Sequence, residues 1–170
     1  MIQAFAELGR VQKPETFDHV LMSFHGLPER QLVKADTQNH CLKAKDCCQV
    51  WNEKNQYCYS AQCYATAQAL AKELNLSPEQ YTVCFQSRLG KTPWVKPYTS
   101  EVIHQMAKEG KKRLLVFCPA FVSDCLETIF EVRVEYNDEF KAAGGEEVVL
   151  VEGLNTHPTW VNALSGICRG

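Results

Sequence analysis

No run of apolar residues in this chain approaches the roughly 20 needed to cross a bilayer as a helix. A basic block is missing too: 18 Lys and Arg stand against 20 Asp and Glu, for a net charge of −2. Without a cationic face to meet phosphates, nucleic acid is not an expected partner. Internal repeats and low-complexity tracts are also absent, and no secretory leader is legible ahead of the cysteines. The cysteines number nine, an odd count that argues against a secreted disulfide framework. Reduced thiols or metal ligands in a cytoplasmic protein are the expectation, with peripheral membrane contact left open. At 170 residues the chain fits one domain whose core needs no staples.

Four short β-rich runs are legible, Phe17 to Phe24, Tyr81 to Phe85, Arg113 to Cys118 and Glu147 to Val151. Helical patterns lie between and after them, at Ser60 to Leu74, Tyr98 to Lys108, Asp124 to Ala143 and Pro158 to Cys168. Strands alternating with helices predict an α/β fold, a Rossmann-like, doubly wound, four-stranded parallel sheet. Residues 1–16 read as the end of a preceding element. Residues 31–59 break the rhythm, because a plain connection does not need nearly thirty polar, weakly periodic residues. They read as an insertion with its own purpose.

In such sheets ligands gather outside the carboxyl ends of the strands. Those ends carry Ser23-Phe24-His25-Gly26-Leu27-Pro28, then Gln86-Ser87-Arg88-Leu89-Gly90 with Pro93-Trp94, then Cys118 through Asp124, then Leu154-Asn155-Thr156-His157-Pro158. All four are expected at one crevice. Ser123-Asp124 reads as a helix N-cap, and His157 as a helix-start residue. His19 and His104 read as structural. Beyond Asp124, Glu127, Glu131, Glu135 and Glu139 recur at i, i+4, which on an α-helix stacks four carboxylates on one face. Each like pair costs ~0.2 to 0.5 kcal/mol, a repulsion that cations or protons relieve; a solvated acidic face, partly neutralised by Arg133, is the plainer alternative for the lower two.

An imidazole facing a carboxylate across an apolar cleft suits two tasks, holding a divalent transition metal or taking protons from a ligand. Inserting iron into a porphyrin needs both, since two pyrrole protons leave as the metal enters. Phe24, Trp94 and Phe121 are the expected aromatic walls for a large planar ligand.

From about Phe17 to the last helix, these motifs resemble, in order, the C-terminal half of the ferrochelatase family. Ser23-Phe24-His25-Gly26-Leu27-Pro28 is similar to the family's Ser-x-His-[Ser/Gly]-[Leu/Ile]-Pro signature, which makes His25 the active-site histidine. Gln86-Ser87-Arg88-Leu89-Gly90 with Pro93-Trp94 resembles its Gln-Ser-[Arg/Lys]-x-Gly block and makes Arg88 and Trp94 substrate-binding residues. Ser123-Asp124-Cys125-Leu126-Glu127-Thr128 resembles its Asp-x-[Leu/Ile]-Glu-Thr block, with Glu127 the carboxylate opposite His25. Glu131 and Glu135 are then a proton or metal relay. The resemblance implies insertion of ferrous iron, held by His25 and Glu127, into protoporphyrin IX or coproporphyrin III. It leaves open whether His25 is ligand or base. Position 125 is Cys where some members carry His. The family is built of two similar halves with the porphyrin between them, so the missing N-terminal half is an expected partner and this half alone is expected to be weak or inactive.

Cys41, Cys47, Cys48, Cys58 and Cys63 fall within 23 residues of the insertion and the helix after it. Four thiolates from such a segment can hold a [2Fe-2S] cluster or a tetrahedral zinc, which spacing does not distinguish. His40 is a weaker ligand candidate. Some ferrochelatases carry a [2Fe-2S] cluster, and the resemblance favours Cys41, Cys48, Cys58 and Cys63 as its ligands, with Cys47 the alternative to Cys48. Cys84, Cys118, Cys125 and Cys168 are expected as buried small hydrophobes. Two rival readings stand beside this one: a chelatase for another tetrapyrrole or metal, and an iron-sulfur or zinc module that senses redox state or docks a partner. The second leaves His25, Trp94 and Glu127 unexplained.

Overall fold

Four strands, His19–His25 (β1), Tyr81–Gln86 (β2), Arg113–Phe117 (β3) and Glu147–Leu150 (β4), form one all-parallel sheet in the order β2-β1-β3-β4. The structure is a computed structural model that describes residues 1–44 and 46–170. The strands alternate with Ile2–Val11 (α1), Glu29–Ala35 (α2), Tyr59–Glu73 (α3), Thr99–Lys108 (α4), Leu126–Ile129 (α5), Asn137–Ala142 (α6) and Pro158–Arg169 (α7). β1 is buried along nearly its whole length because neighbours flank it on both edges and helices cover both faces. Its alternate side chains feed two cores. Val20, Met22 and Phe24 pack with α1 and α3, whereas Leu21 packs with α4, α6 and the far faces of β3 and β4.

The chain runs outward from β1 to β2 on one side and to β3 and β4 on the other. The sheet order therefore reverses at β1, and a crevice opens between the ends of β1 and β3. His25 stands at that reversal.

The structure details two sequence expectations and changes a third. Residues 1–16 contain α1, whose Ala4, Phe5, Ala6 and Gly9 are buried; a Cβ on Gly9 would run into the Phe117 ring, so glycine lets the helix lie on the sheet. The first residues of the 31–59 segment are helical, as α2 runs on through Ala35. The helix expected over Asp124 to Ala143 is divided by a π-helical stretch, Glu131–Tyr136, in which the Glu135 amide donates to the Phe130 carbonyl at 3.0 Å.

Candidate active site at the reversal of the sheet

The His25–Gly26 peptide is fixed at both ends. Its amide, on Gly26, donates to the Gln86 carbonyl at 2.9 Å, continuing the β1–β2 ladder one step past the strand, and its carbonyl, on His25, accepts the Tyr59 hydroxyl at 2.8 Å. Gly26 is needed for close approach, since a Cβ there would lie 3.0 Å from the Gln86 carbonyl oxygen and 3.2 Å from Trp94 Cε3. The half-buried His25 ring places Nδ1 2.6 Å from the Gly26 carbonyl oxygen. A carbonyl only accepts, so Nδ1 carries the hydrogen and the neutral ring keeps its lone pair on Nε2. That nitrogen is the one available for a metal ion or a proton.

Around the ring stand Trp94 at 6.3 Å and Phe121 at 6.0 Å between centroids, both tilted. Trp94 is held by a bridge to Pro28 and is buried, and its Nε1–H has no hydrogen-bond partner among the described residues. Glu127 lies in the first turn of α5. Its carboxyl titrates below the ordinary glutamate value, chiefly because its own backbone amide and the Cys125 side chain donate to it, and further because His25 is near enough to act through its charge. The structure thus brings Trp94 and Phe121 to His25, with the Glu127 carbonyl held by Gln86, the strand partner of His25 on β2.

It does not bring Phe24 to them. Phe24 points to the opposite face of β1, is 2% exposed and packs on Phe85 in the core, as the period of two along a strand demands. Arg88 is exposed, its guanidinium 4.6 Å above the Tyr98 ring, at the mouth of a separate cavity of about 300 Å³ that Ser87, Tyr98 and Glu131 also line.

The four-carboxylate ladder is broken. Glu131 accepts from the Ser87 amide, the Ser87 hydroxyl and the Tyr136 hydroxyl, each at 2.7 Å, and from Gln86 Nε2 at 3.3 Å. The wide π turn is what sets Tyr136, five residues on, over Glu131. The same turn leaves Glu135 exposed, while Glu139 stands 4.0 Å from His104. Only Glu127 and Glu131 remain near the strand ends.

Beneath the crevice runs a buried polar chain that sequence reasoning missed. Gln86, 1% exposed, donates to the Glu127 carbonyl at 2.6 Å and accepts from the Ser23 hydroxyl at 2.7 Å, which lies 2.9 Å from Thr99 Oγ1. Polar Ser23 and Gln86 at the ends of otherwise apolar strands were the legible signal. Asp124 and Asn155 change meaning as well. Asp124 accepts from the Gly153 amide, Asn155 Nδ2 and the Thr128 hydroxyl, so it ties the end of β4 to the start of α5, where Cys125 is the N-cap residue. His157 caps α7 and faces Glu7 at 3.6 Å, His19 is buried against Thr82, and His104 bonds within its own helix.

The insertion is ordered by polar groups. The Asp36 carboxylate accepts the amides of Gln38, His40 and Cys41, and buried Asn55 donates to the carbonyls of Cys47 and Val50. His40 Nε2 is 3.1 Å from the Cys47 carbonyl oxygen, so that nitrogen is occupied. Cys41, Cys47, Cys48 and Cys58 line one cavity of about 60 Å³. The Cys47–Cys48 and Cys48–Cys58 sulfurs stand 3.5 and 3.9 Å apart, against the ~3.8 Å that thiolates bound tetrahedrally at 2.3 Å would show. Cys47 and Cys48 both line the cavity. The Cys58 thiol is pulled down to about 6, first by the Cys48 hydrogen bond and then by the backbone amides of Ser60 and Ala61, while Cys48 shifts up. Burial pushes Cys41 up to about 11 and Cys63 up to about 12. Cys63, on the buried face of α3, lies in the core and does not line this cavity. Soft sulfur donors at these spacings suit a thiophilic metal, although no group of three or more His, Cys, Asp or Glu closes into a metal-holding set among the described residues. Of the four cysteines expected to be buried, Cys84 and Cys118 are, Cys125 is half-buried at a helix start, and Cys168 is exposed on α7.

The family model described as Ferrochelatase matches residues 1–170. The chain is 47% identical over 170 residues to a ferrochelatase of Azotobacter vinelandii, covering 99% of this chain and 50% of that protein. It is 50% identical over 154 residues to that of Ectopseudomonas mendocina, covering 90% and 45%, and 51% identical over 154 residues to that of Stutzerimonas stutzeri, covering 89% and 45%. The chain thus spans about half the length of the curated relatives it matches. With a histidine free at Nε2, a carboxylate within its field and aromatic walls at the reversal of a parallel sheet, the chain belongs to the ferrochelatase family.

Proposed function

We propose that this chain supplies the metal-handling half of an enzyme that inserts ferrous iron into a porphyrin to form haem, and that it corresponds to the C-terminal half of its relatives. The observation that carries the reading is the free Nε2 of His25, set between Trp94 and Phe121 with Glu127 in its field. A porphyrin on these aromatic faces presents its pyrrole nitrogens to His25. Two pyrrole protons must depart as iron enters, and Nε2 accepts one at a time because Nδ1 is already engaged. Glu127, ionised and half-buried, stabilises the imidazolium or the approaching cation. Glu131, saturated by four donors, holds β2 against the π segment instead of shuttling freely. Arg88 at the mouth of the neighbouring cavity suits a porphyrin carboxylate. Either protoporphyrin IX or coproporphyrin III meets these demands.

In the same reading, Cys41, Cys47, Cys48 and Cys58 would hold a [2Fe-2S] cluster, a reading supported by the four thiols that line one cavity. When bound, such a cluster supplies electron transfer or structural cross-linking. The odd number of cysteines suits a reducing, cytoplasmic setting, and exposed Leu126, Ile129 and Phe130 beside the crevice suit the other half of the protein or a membrane surface.

The test is His25→Ala in a protein that carries this chain together with the other half of the family's length. Metal insertion is expected to fall by at least about 10³-fold. Undiminished insertion would overturn the assignment.

A further inference from the structure

Tyr59 is the first residue of α3, directly after Cys58 of the cysteine-lined cavity, and its hydroxyl donates to the carbonyl of His25 at 2.8 Å. That carbonyl has no partner in the β1–β2 ladder, so the tyrosine fixes the one end of the His25–Gly26 peptide that the sheet leaves loose. The other end is held by Gln86, and the Gly26 carbonyl in turn orients the His25 ring through Nδ1. The ring is therefore held by the carbonyl of the next peptide, Gly26–Leu27, which is joined through the Gly26 Cα to the peptide plane that Tyr59 helps to set. Cys63, one turn along α3, is buried in the core and does not line the cavity.

We propose that Tyr59 is a positioning residue for His25 and that it couples the state of the cysteine segment to the active site. Cys58 caps α3, and its carbonyl accepts the Gln62 amide at 3.0 Å, so any group taken up at Cys58 moves the start of that helix and Tyr59 with it. A shift of a few tenths of an ångström is enough to lengthen a hydrogen bond of 2.8 Å and let the peptide rotate. The inference rests on the reading of His25 given above and extends it to how that histidine is held.

The experiment follows the His25 carbonyl carbon in the folded chain through the correlated Gly26 amide by NMR. In Tyr59→Phe, which removes only the hydroxyl, the carbonyl resonance moves upfield. Alkylation of the thiols with iodoacetamide shifts it in the unsubstituted chain and leaves it in place in Tyr59→Phe. In the two-half protein the same variant lowers kcat about three- to tenfold with KM for porphyrin unchanged, as expected for one hydrogen bond that orients a reacting group. An unmoved carbonyl resonance in a folded Tyr59→Phe chain, or alkylation shifts of equal size with and without the hydroxyl, would overturn the coupling. If His25→Ala keeps full activity, the chelatase role of His25 fails on its own while the carbonyl shifts stand. If His25→Ala is inactive and the shifts are missing, only the Tyr59 proposal fails.

Discussion

Replacing Gln86 by methionine tests the buried polar chain with little change of volume, so hydrogen bonding and not cavity formation dominates the outcome. The substitution removes a donor to the Glu127 carbonyl at 2.6 Å, a donor to Glu131 at 3.3 Å and an acceptor for the Ser23 hydroxyl at 2.7 Å. Glu131 keeps three donors, and Ser23 keeps Thr99 at 2.9 Å. The uncompensated loss is therefore the Glu127 carbonyl, at about 1 to 3 kcal/mol, together with about 1 kcal/mol for the Ser23 bond. A destabilisation of about 2 to 4 kcal/mol follows, which for a domain of this size lowers Tm by roughly 5 to 15 °C. Urea unfolding followed by circular dichroism measures it, with the m-value unchanged if only the folded state is affected. A loss below about 0.5 kcal/mol would refute the argument, because it would mean that the network stores no net stability. Because the lost carbonyl belongs to the first turn of α5, the two-half protein should also lose activity beyond what its stability explains.

The isolated chain should show no measurable metal insertion, since only half of the family's length contributes walls to the site; robust turnover in a porphyrin fluorescence assay would contradict this. Gly26→Ala should cost about 1 to 3 kcal/mol, because its Cβ meets backbone and the Trp94 ring at 3.0 to 3.2 Å, and thermal unfolding reads the cost directly. With its thiol near 6, Cys58 should be alkylated by iodoacetamide at neutral pH before the exposed Cys168, and peptide mass spectrometry that finds Cys168 labelled first would count against the low Cys58 value. Burial holds the His19 value below its ordinary 6.5, so as the pH falls through that range the unfolded state binds a proton that the folded state refuses. Its contribution is thus neutral above 6.5 and destabilising on acidification, and His19→Gln should flatten the fall in stability between about pH 7.5 and about pH 5.5.

Strand and helix identities were legible because apolar runs and turn residues alternate with a clear period, and the strand-end motifs pointed to His25, Trp94 and Glu127. The carboxylate ladder misled for a definite reason. Spacing of four residues means one face only if every turn has α geometry, and the π turn at Glu131–Tyr136 is selected by contacts with Ser87, which is distant in sequence. Phe24 misled more simply: it neighbours His25 in sequence but lies on the other face of the strand.

The sequence by itself determined the parallel α/β class, the family, and which residue types could meet a metal or a porphyrin, since these depend on local pattern and order along the chain. The tertiary structure alone decided what each of those groups touches. The free nitrogen on His25 follows from one carbonyl placed beside its ring, the set of cysteines that line one cavity from the path of an insertion held by Asp36 and Asn55, and the tie from Tyr59 to His25 from contact between residues 34 positions apart. Hydrogen bonds act over about 3 Å of space and not along the chain, so no spacing in the sequence could have fixed them.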